Sequence, residues 1–416
     1  MEQVPQLRAG VEISPMYTAA REPKYLVRNG ESQQFQVSSS LHRILMLIDG
    51  KKTVSEIADT YAKETGKSFT GADLKRLIGE YLVPHGLVAA PGVEYSPPRT
   101  KSYMSIKIPI FSQDLVRPFT GILQHLFWRP AMISGIVLAG LSECFFVSQG
   151  LNVSLDNLTM TDLFALYALL MLSTLFHELG HSSACHRYGA RHGAIGIGLY
   201  LVFPVLYADV SDVWRLRPMQ RVVVDFGGIY FQLLTLPAIV VAFLISRNPM
   251  WMYLMYGINL LILTALNPLF RFDGYWMVCD FVGVPNLRRR SQESYKSLFN
   301  WLRNTPSSDM GSTPIFGPKV RTFLYIYAVV SNAFFFVFLI MLIPAVIELI
   351  HSYPQSVQVF VSDMPVRFSS HDWAGLFSSF ARIASKSLFL LAVAWGIGRI
   401  SIQAIARIRK GLSHAN

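Results

Sequence analysis

The sequence predicts an α-helical polytopic membrane protein of about six transmembrane helices, preceded by a small N-terminal α+β domain of winged-helix-like order. Of its 416 residues 52% are hydrophobic and only 15% charged, and several apolar runs approach the length needed to cross a bilayer. The first 90 residues differ from the rest, with short amphipathic segments set between turn signals. A His-Glu-x-x-His run, His177-Glu178-Leu179-Gly180-His181, ends the apolar stretch that begins near Leu163.

In the N-terminal domain, Tyr25-Leu26-Val27-Arg28, the turn pair Asn29-Gly30, and Phe35-Gln36-Val37 predict a hairpin. A first helix runs from Ser39 to Ile48 with Leu41, Ile44, Leu45 and Ile48 on one face, and Asp49-Gly50 stops it. Thr53-Val54-Ser55-Glu56 opens a second, with Val54, Ile57, Ala58 and Tyr61 inward, and a third opens near Thr70 with Leu74, Leu77, Ile78, Tyr81 and Leu82. That order also suits DNA binding, but residues 1–100 hold 12 Lys and Arg against 11 Asp and Glu, a balance of +1. The third helix sets only Lys75 and Arg76 against Asp73 and Glu80, which is no phosphate-binding footprint, so no nucleic-acid partner is expected.

The domain resembles the peptide-recognition element of ribosomally made peptide pathways, whose type member is the pyrroloquinoline-quinone chaperone. Pro5-x-Leu7-Arg8-x-Gly10, the Asp49-Gly50-x-x-Thr53-Val54 step and the closing stretch Leu82 to Leu87 carry the resemblance. It implies that the leader part of a precursor peptide adds as a strand beside the hairpin and packs against the third helix, with backbone hydrogen bonds supplying affinity. A purely structural domain is the alternative.

Residues 91–98, rich in Pro and Gly, read as a semi-rigid linker. Met104, Ile106, Ile108 and Ile110 alternate with polar or small residues, and an amphipathic stretch over 115–128 reads as an interfacial approach to the lipid bilayer. The domains are thus 1–90 for recognition, 91–128 for linker and interface, and 129–410 for the membrane part. Spans are expected at 131–147, 163–186, 222–245, 251–269, 323–347 and 383–405. The net charge of +11 concentrates in Arg191, Arg215, Arg217 and Arg221, in Arg288, Arg289, Arg290, Lys296, Arg303, Lys319 and Arg321, and in Arg407, Arg409 and Lys410. Segments 149–160, 246–250 and 348–382 carry fewer cations, which assigns both termini to the cytoplasmic side of the inner membrane. The N-terminus has no basic region followed by an apolar core, so no cleaved signal is expected. The three cysteines, Cys144, Cys185 and Cys279, form no C-x-x-C pair and no disulfide framework.

On a helix, positions four apart share a face, so His177 and His181 can offer two imidazoles to one metal ion with Glu178 beside it. Zinc held by three protein ligands keeps a position for water and lowers that water's pKa, and Glu178 would take and return its proton. A third ligand must lie at the same depth. Asn267-Pro268-Leu269-Phe270-Arg271-Phe272-Asp273-Gly274 ends the fourth span, which also runs inward, so Asp273 can meet both histidines. Arg271 is either an oxyanion partner or an interfacial anchor. His186, His192 and Cys185 are set aside as boundary or packing residues, Glu143 is expected to face the bundle or lie near the outer interface, and the 334–338 Phe run is expected to face lipid.

His-Glu-x-x-His in an inward-running span with a distant Pro-x-x-x-x-Asp-Gly resembles the site-2 protease family of intramembrane zinc metallopeptidases, over residues 129 to about 345. The resemblance implies His177, His181 and Asp273 as Zn2+ ligands, Glu178 as catalytic base, and cleavage of a peptide or membrane-associated polypeptide at or within the membrane. It implies a hairpin around Gly198 to Val205 whose edge holds an extended substrate. Gln232 stands where the family has a substrate-binding Asn, and Ala265 where it has another, with Asn267 nearby. Gln232, Asn267 and Arg271 are therefore the candidate substrate contacts. The fused recognition domain points to maturation or export of a ribosomally made peptide, with an exporter or modifying enzyme as partner. The alternative is a non-proteolytic carrier of a modified peptide, with structural zinc.

Overall fold

The computed structural model describes residues 4–30, 33–89, 104–150, 159–200, 203–302 and 316–413. Its N-terminal unit holds one strand more than the predicted hairpin: Val11–Met16 (β1) pairs antiparallel with Lys24–Asn29 (β2), which pairs with Gln33–Ser38 (β3). Pro15 is tolerated in β1 because that strand lies at a sheet edge. Ser38 caps Ser39–Leu47 (α1). Capping boxes at Thr53 with Glu56 and at Thr70 with Asp73 open Val54–Thr65 (α2) and Gly71–Leu77 (α3), the latter running on as a wider turn over Ile78–Leu82. The predicted inward faces do face inward, with Leu45, Ile57, Leu74 and Leu82 fully enclosed against Val27 and Leu87. The 91–98 linker lies outside the described residues.

Met104–Phe111 (β4) leads into the amphipathic helix Gln113–Leu123 (α4), then Arg129–Ser148 (α5) and Met160–Arg187 (α6). The expected hairpin follows as Ile195–Tyr200 (β5) and Phe203–Ala208 (β6). β4 pairs with β5 across more than eighty residues, giving a second sheet of order β4-β5-β6. Next come Pro218–Ser246 (α7), Met250–Ala265 (α8), Asp273–Val282 (α9), Leu287–Leu302 (α10), Pro318–Ser369 (α11) and Trp373–Ser413 (α12).

The protein is predominantly helical, and among the described residues four helices, α5, α6, α7 and α11, are long and apolar enough to cross a membrane. α8 is apolar but has 16 residues, about 24 Å at 1.5 Å per residue, short of a roughly 30 Å hydrocarbon core. It ends before the expected 269 because the Asn267 side-chain oxygen accepts from the N–H groups of Leu269 (2.8 Å) and Phe270 (3.3 Å), turning the chain. Between the expected fourth and fifth spans, where the sequence predicts only a connection, the chain forms α9 and α10. Residues 348–369, also expected as loop, continue α11. No glycine interrupts that run, and Pro344, Pro354 and Pro365 each forfeit a backbone bond without ending the helix, which stops only at Ser370 and His371, where φ is +53°.

α7 is the central helix, packing on α5, α6, α8 and α9. It approaches α6 closely because Gly180 and Gly227 face one another, and a methyl group on either would collide with the other's backbone. Glu143 on α5 faces the bundle as expected, receiving the Asn259 side-chain N–H at 3.0 Å. The N-terminal unit docks on the helical part through its β1–β2 side: Arg28 lies 3.2 Å from Asp212, and the Ala19 N–H donates to Gly283 O at 2.8 Å. β3, the opposite edge of that sheet, pairs with no further strand among the described residues.

Candidate metal centre

His177 and His181, one helical turn apart on α6, meet Asp273, the first residue of α9. The two Nε2 atoms are 3.1 Å apart, His177 Nε2 is 3.0 Å from Asp273 Oδ2, and His181 Nε2 is 3.5 Å from Asp273 Oδ1. These separations can be compared with the edge of a tetrahedron around bonds of about 2.0–2.1 Å, which is about 3.3 Å. The other face of each ring fixes its tautomer. His181 Nδ1 lies 2.8 Å from the Val224 carbonyl, which can only accept, and His177 Nδ1 lies 3.1 Å from the Gln232 side-chain oxygen. His181 Nδ1 therefore donates, and His177 Nδ1 donates with the Gln232 oxygen oriented as it stands, which leaves both Nε2 atoms to face each other and a carboxylate. Two lone pairs and an anion converging at this distance form a donor set that a small divalent cation relieves, and the residues fit zinc.

Gly228 on α7 completes the cradle. A Cβ at that position would sit 2.5 Å from Nε2 of both histidines, so the close wall of the centre has room for hydrogen alone. Glu178, half-buried beside His177, receives the backbone N–H of Ala208 at the end of β6. Among the described residues, His177, His181 and Asp273 are the group able to hold a metal ion.

The candidate substrate contacts fall differently. Gln232 is 2% exposed and spent inside the bundle: its oxygen takes His177 Nδ1–H and its amide nitrogen reaches Ser173 Oγ at 3.4 Å. Asn267 shapes the turn before α9, and Arg271 is half-buried in the same turn. Of the run expected to face lipid, Phe334 and Phe335 are half-buried against Phe270 of that turn, with ring centroids 5.7 and 5.5 Å away, while Phe336 and Phe338 stay exposed, Phe338 also touching Phe270 at 5.7 Å. His186 and His192 meet on the buried Thr120 hydroxyl, 3.1 and 2.9 Å away, which ties α4 to the end of α6. Burial holds His192 below the usual imidazole range. Cys185 is fully buried packing.

One part of the surroundings was not anticipated. Arg221, counted among loop cations, is fully buried on α7 with its Nε 2.9 Å from Asp280 of α9. Burial raises the Asp280 carboxyl, and the guanidinium opposes that rise.

No family model, curated protein or solved structure matches this chain.

Proposed function

We propose that the chain is a zinc-dependent intramembrane endopeptidase of the site-2 protease type, which takes a peptide through its N-terminal domain and hydrolyses it at the cytoplasmic side of the inner membrane. The observation that carries this reading is the convergence of His177 Nε2, His181 Nε2 and Asp273 at 3.0–3.5 Å, with Glu178 on the same turn of a helix long enough to span a bilayer.

Zinc, when bound, supplies Lewis acidity to a water and to a carbonyl oxygen. Glu178 takes the proton of the attacking water and returns it to the leaving amine as the C–N bond breaks. Gln232 and the Val224 carbonyl hold both imidazoles with their Nε2 lone pairs aimed inward. β6 is an edge strand whose end, Ala208, borders Glu178, so an extended peptide adding to it would bring its carbonyl to the acid-base group.

In the N-terminal unit β1 is taken up by docking, which leaves β3 as the edge for a leader strand. Beside it opens a cavity of about 510 Å³ lined by Phe69, Asp73, Arg76, Leu77, Glu80 and Tyr81 of the α3 region. Phe35 of β3 contacts His85, which stacks on Tyr81 at the rim of that cavity, so a relay of two ring contacts links the strand to it. In the membrane α12, and α8 with the bilayer thinned locally to match its shorter length, join the four long helices as six crossings, with both termini cytoplasmic, and an exporter or modifying enzyme acts before or after the cut.

The test compares, by mass spectrometry, peptides co-purifying with wild type and with Glu178→Gln, with zinc content measured in both. The expected result is a variant that keeps zinc and traps an uncut peptide that the wild type yields in two pieces. Both forms holding the same intact peptide would reject proteolysis in favour of a carrier with structural zinc.

A further inference from the structure

Arg221 is fully enclosed, and its partners come from three parts of the chain. Nη1 and Nη2 each donate to the Tyr17 carbonyl at 3.2 Å, and Nη1 also reaches the Leu216 carbonyl at 3.3 Å. Nε lies 2.9 Å from Asp280 Oδ1, with its hydrogen off the line of centres, so that contact is an ion pair more than an aligned hydrogen bond. The guanidinium carbon lies 5.3 Å from the centroid of the Trp214 ring. A guanidinium out of water is costly unless its charge and N–H groups are met, so breaking any one of these contacts strains the others.

Each partner leads to the metal centre or to the N-terminal unit. Tyr17 directly follows β1, and two residues on the Ala19 N–H holds the carbonyl of Gly283, which caps α9. Asp280 lies two helical turns after Asp273 on the same face of α9. Asp225, one turn after Arg221 on α7, faces Asp280. Its neighbour Val224 gives the carbonyl that orients His181. The loop after β1 thus bears on the helix that orients one ligand and on the helix that supplies another, and Arg221 stands where they meet.

We propose that Arg221 is a positioning residue through which the metal centre senses whether the N-terminal unit is seated. This rests on the metal reading above, and not on proteolysis. With the loop in place, Arg221 holds Asp280 and keeps α9 in the register that brings Asp273 to the two histidines. When the unit lifts, the guanidinium loses its Tyr17 acceptor and α9 its Ala19 contact, and the ligand set loosens. By linkage, metal binding favours the seated domain to the same degree.

The experiment uses the full-length protein with Co2+ as probe, whose visible absorption reports coordination geometry, and with hydrogen exchange to read the loop. Wild type is expected to bind Co2+ in a form lost in His177→Ala. Arg221→Gln is expected to lower Co2+ affinity about 10- to 100-fold and alter the absorption, while Arg221→Lys, which keeps the charge, restores part of both. Arg28→Glu sets a carboxylate against Asp212, and is expected to raise exchange over residues 17–20 and weaken Co2+ in parallel, which also covers the case of Arg221→Gln failing to fold. Wild-type affinity and absorption in folded Arg221→Gln, or in Arg28→Glu with the loop exchanging freely, would overturn the proposal. Absence of His177-dependent Co2+ binding in the wild type would instead remove the metal reading, and this inference with it.

Discussion

The side-chain oxygen of Gln232 lies 3.1 Å from Nδ1 of His177, and its amide nitrogen reaches back to Ser173 on the helix that carries that histidine. Gln232 thus holds the His177 ring from behind, on the side away from the candidate metal position. Removing such an outer partner lowers metal affinity about 10- to 100-fold. Gln232→Ala and Gln232→Asn, the second too short to reach, are expected to show this loss in a chelator competition, whereas Gln232→Glu keeps an acceptor and retains the metal. Loss of peptide binding with unchanged metal affinity would return Gln232 to the substrate side.

Gly228 makes a sharper prediction. Alanine favours a helix interior over glycine by about 1 kcal/mol, so Gly228→Ala should keep or improve helical content. Its methyl group would lie 2.5 Å from both Nε2 atoms, and the metal per chain should fall to the level of His177→Ala. Metal content and circular dichroism on one sample separate the two effects.

At Asn267 the turn before α9 depends on an acceptor oxygen. Asn267→Asp keeps that oxygen for Leu269 and Phe270 and is expected to bind metal as the wild type does. Asn267→Ala loses about 1 kcal/mol and lets Asp273 wander, which a lowered metal affinity and a lower melting temperature would register together.

The N-terminal unit carries its own acid response. Backbone N–H groups of Lys51 and Lys52 donate to the Asp49 carboxylate at 2.9 and 3.1 Å and hold it below the usual carboxylate range. A carboxyl lowered in the folded state adds stability above its unfolded pKa and loses it as pH falls through the folded value. Pepsin sensitivity of residues 1–90 should therefore rise below the ordinary aspartate value of about 3.9, and Asp49→Asn should remove part of that acid limb, the rest following Asp73, which its Thr70 hydrogen bonds lower in the same way.

The sequence made some of this site legible, and the division follows distance along the chain. His177, Glu178 and His181 lie within one turn, where periodicity alone sets their faces, and Asp273 followed from the depth at which a second inward run ends. Gln232 was visible as a residue but not as the partner of His177, because that depends on how α7 is rotated against α6, 55 residues away. β4 finding β5 is a pairing of the same non-local kind. Arg221 was counted as a loop cation, since charge counting cannot tell a solvated guanidinium from one enclosed by a carbonyl, a carboxylate and an indole ring. The helical stretch 348–369 was missed because its polar residues and prolines resemble a loop, although it lacks the glycine that would end a helix.

Ligand atoms 3.0–3.5 Å apart also act as a gauge of ion size. Calcium, which needs six to eight oxygens at about 2.3–2.6 Å, finds neither the number nor the span here. Among smaller ions the preference of two imidazoles and a carboxylate runs with the Irving–Williams order, in which copper outranks zinc. If zinc is the ion this site serves, affinity by itself would favour copper over it, and zinc loading becomes the work of a compartment that keeps free copper scarce. The metal recovered with the purified chain then serves as a record of the ion balance in the cell that made it.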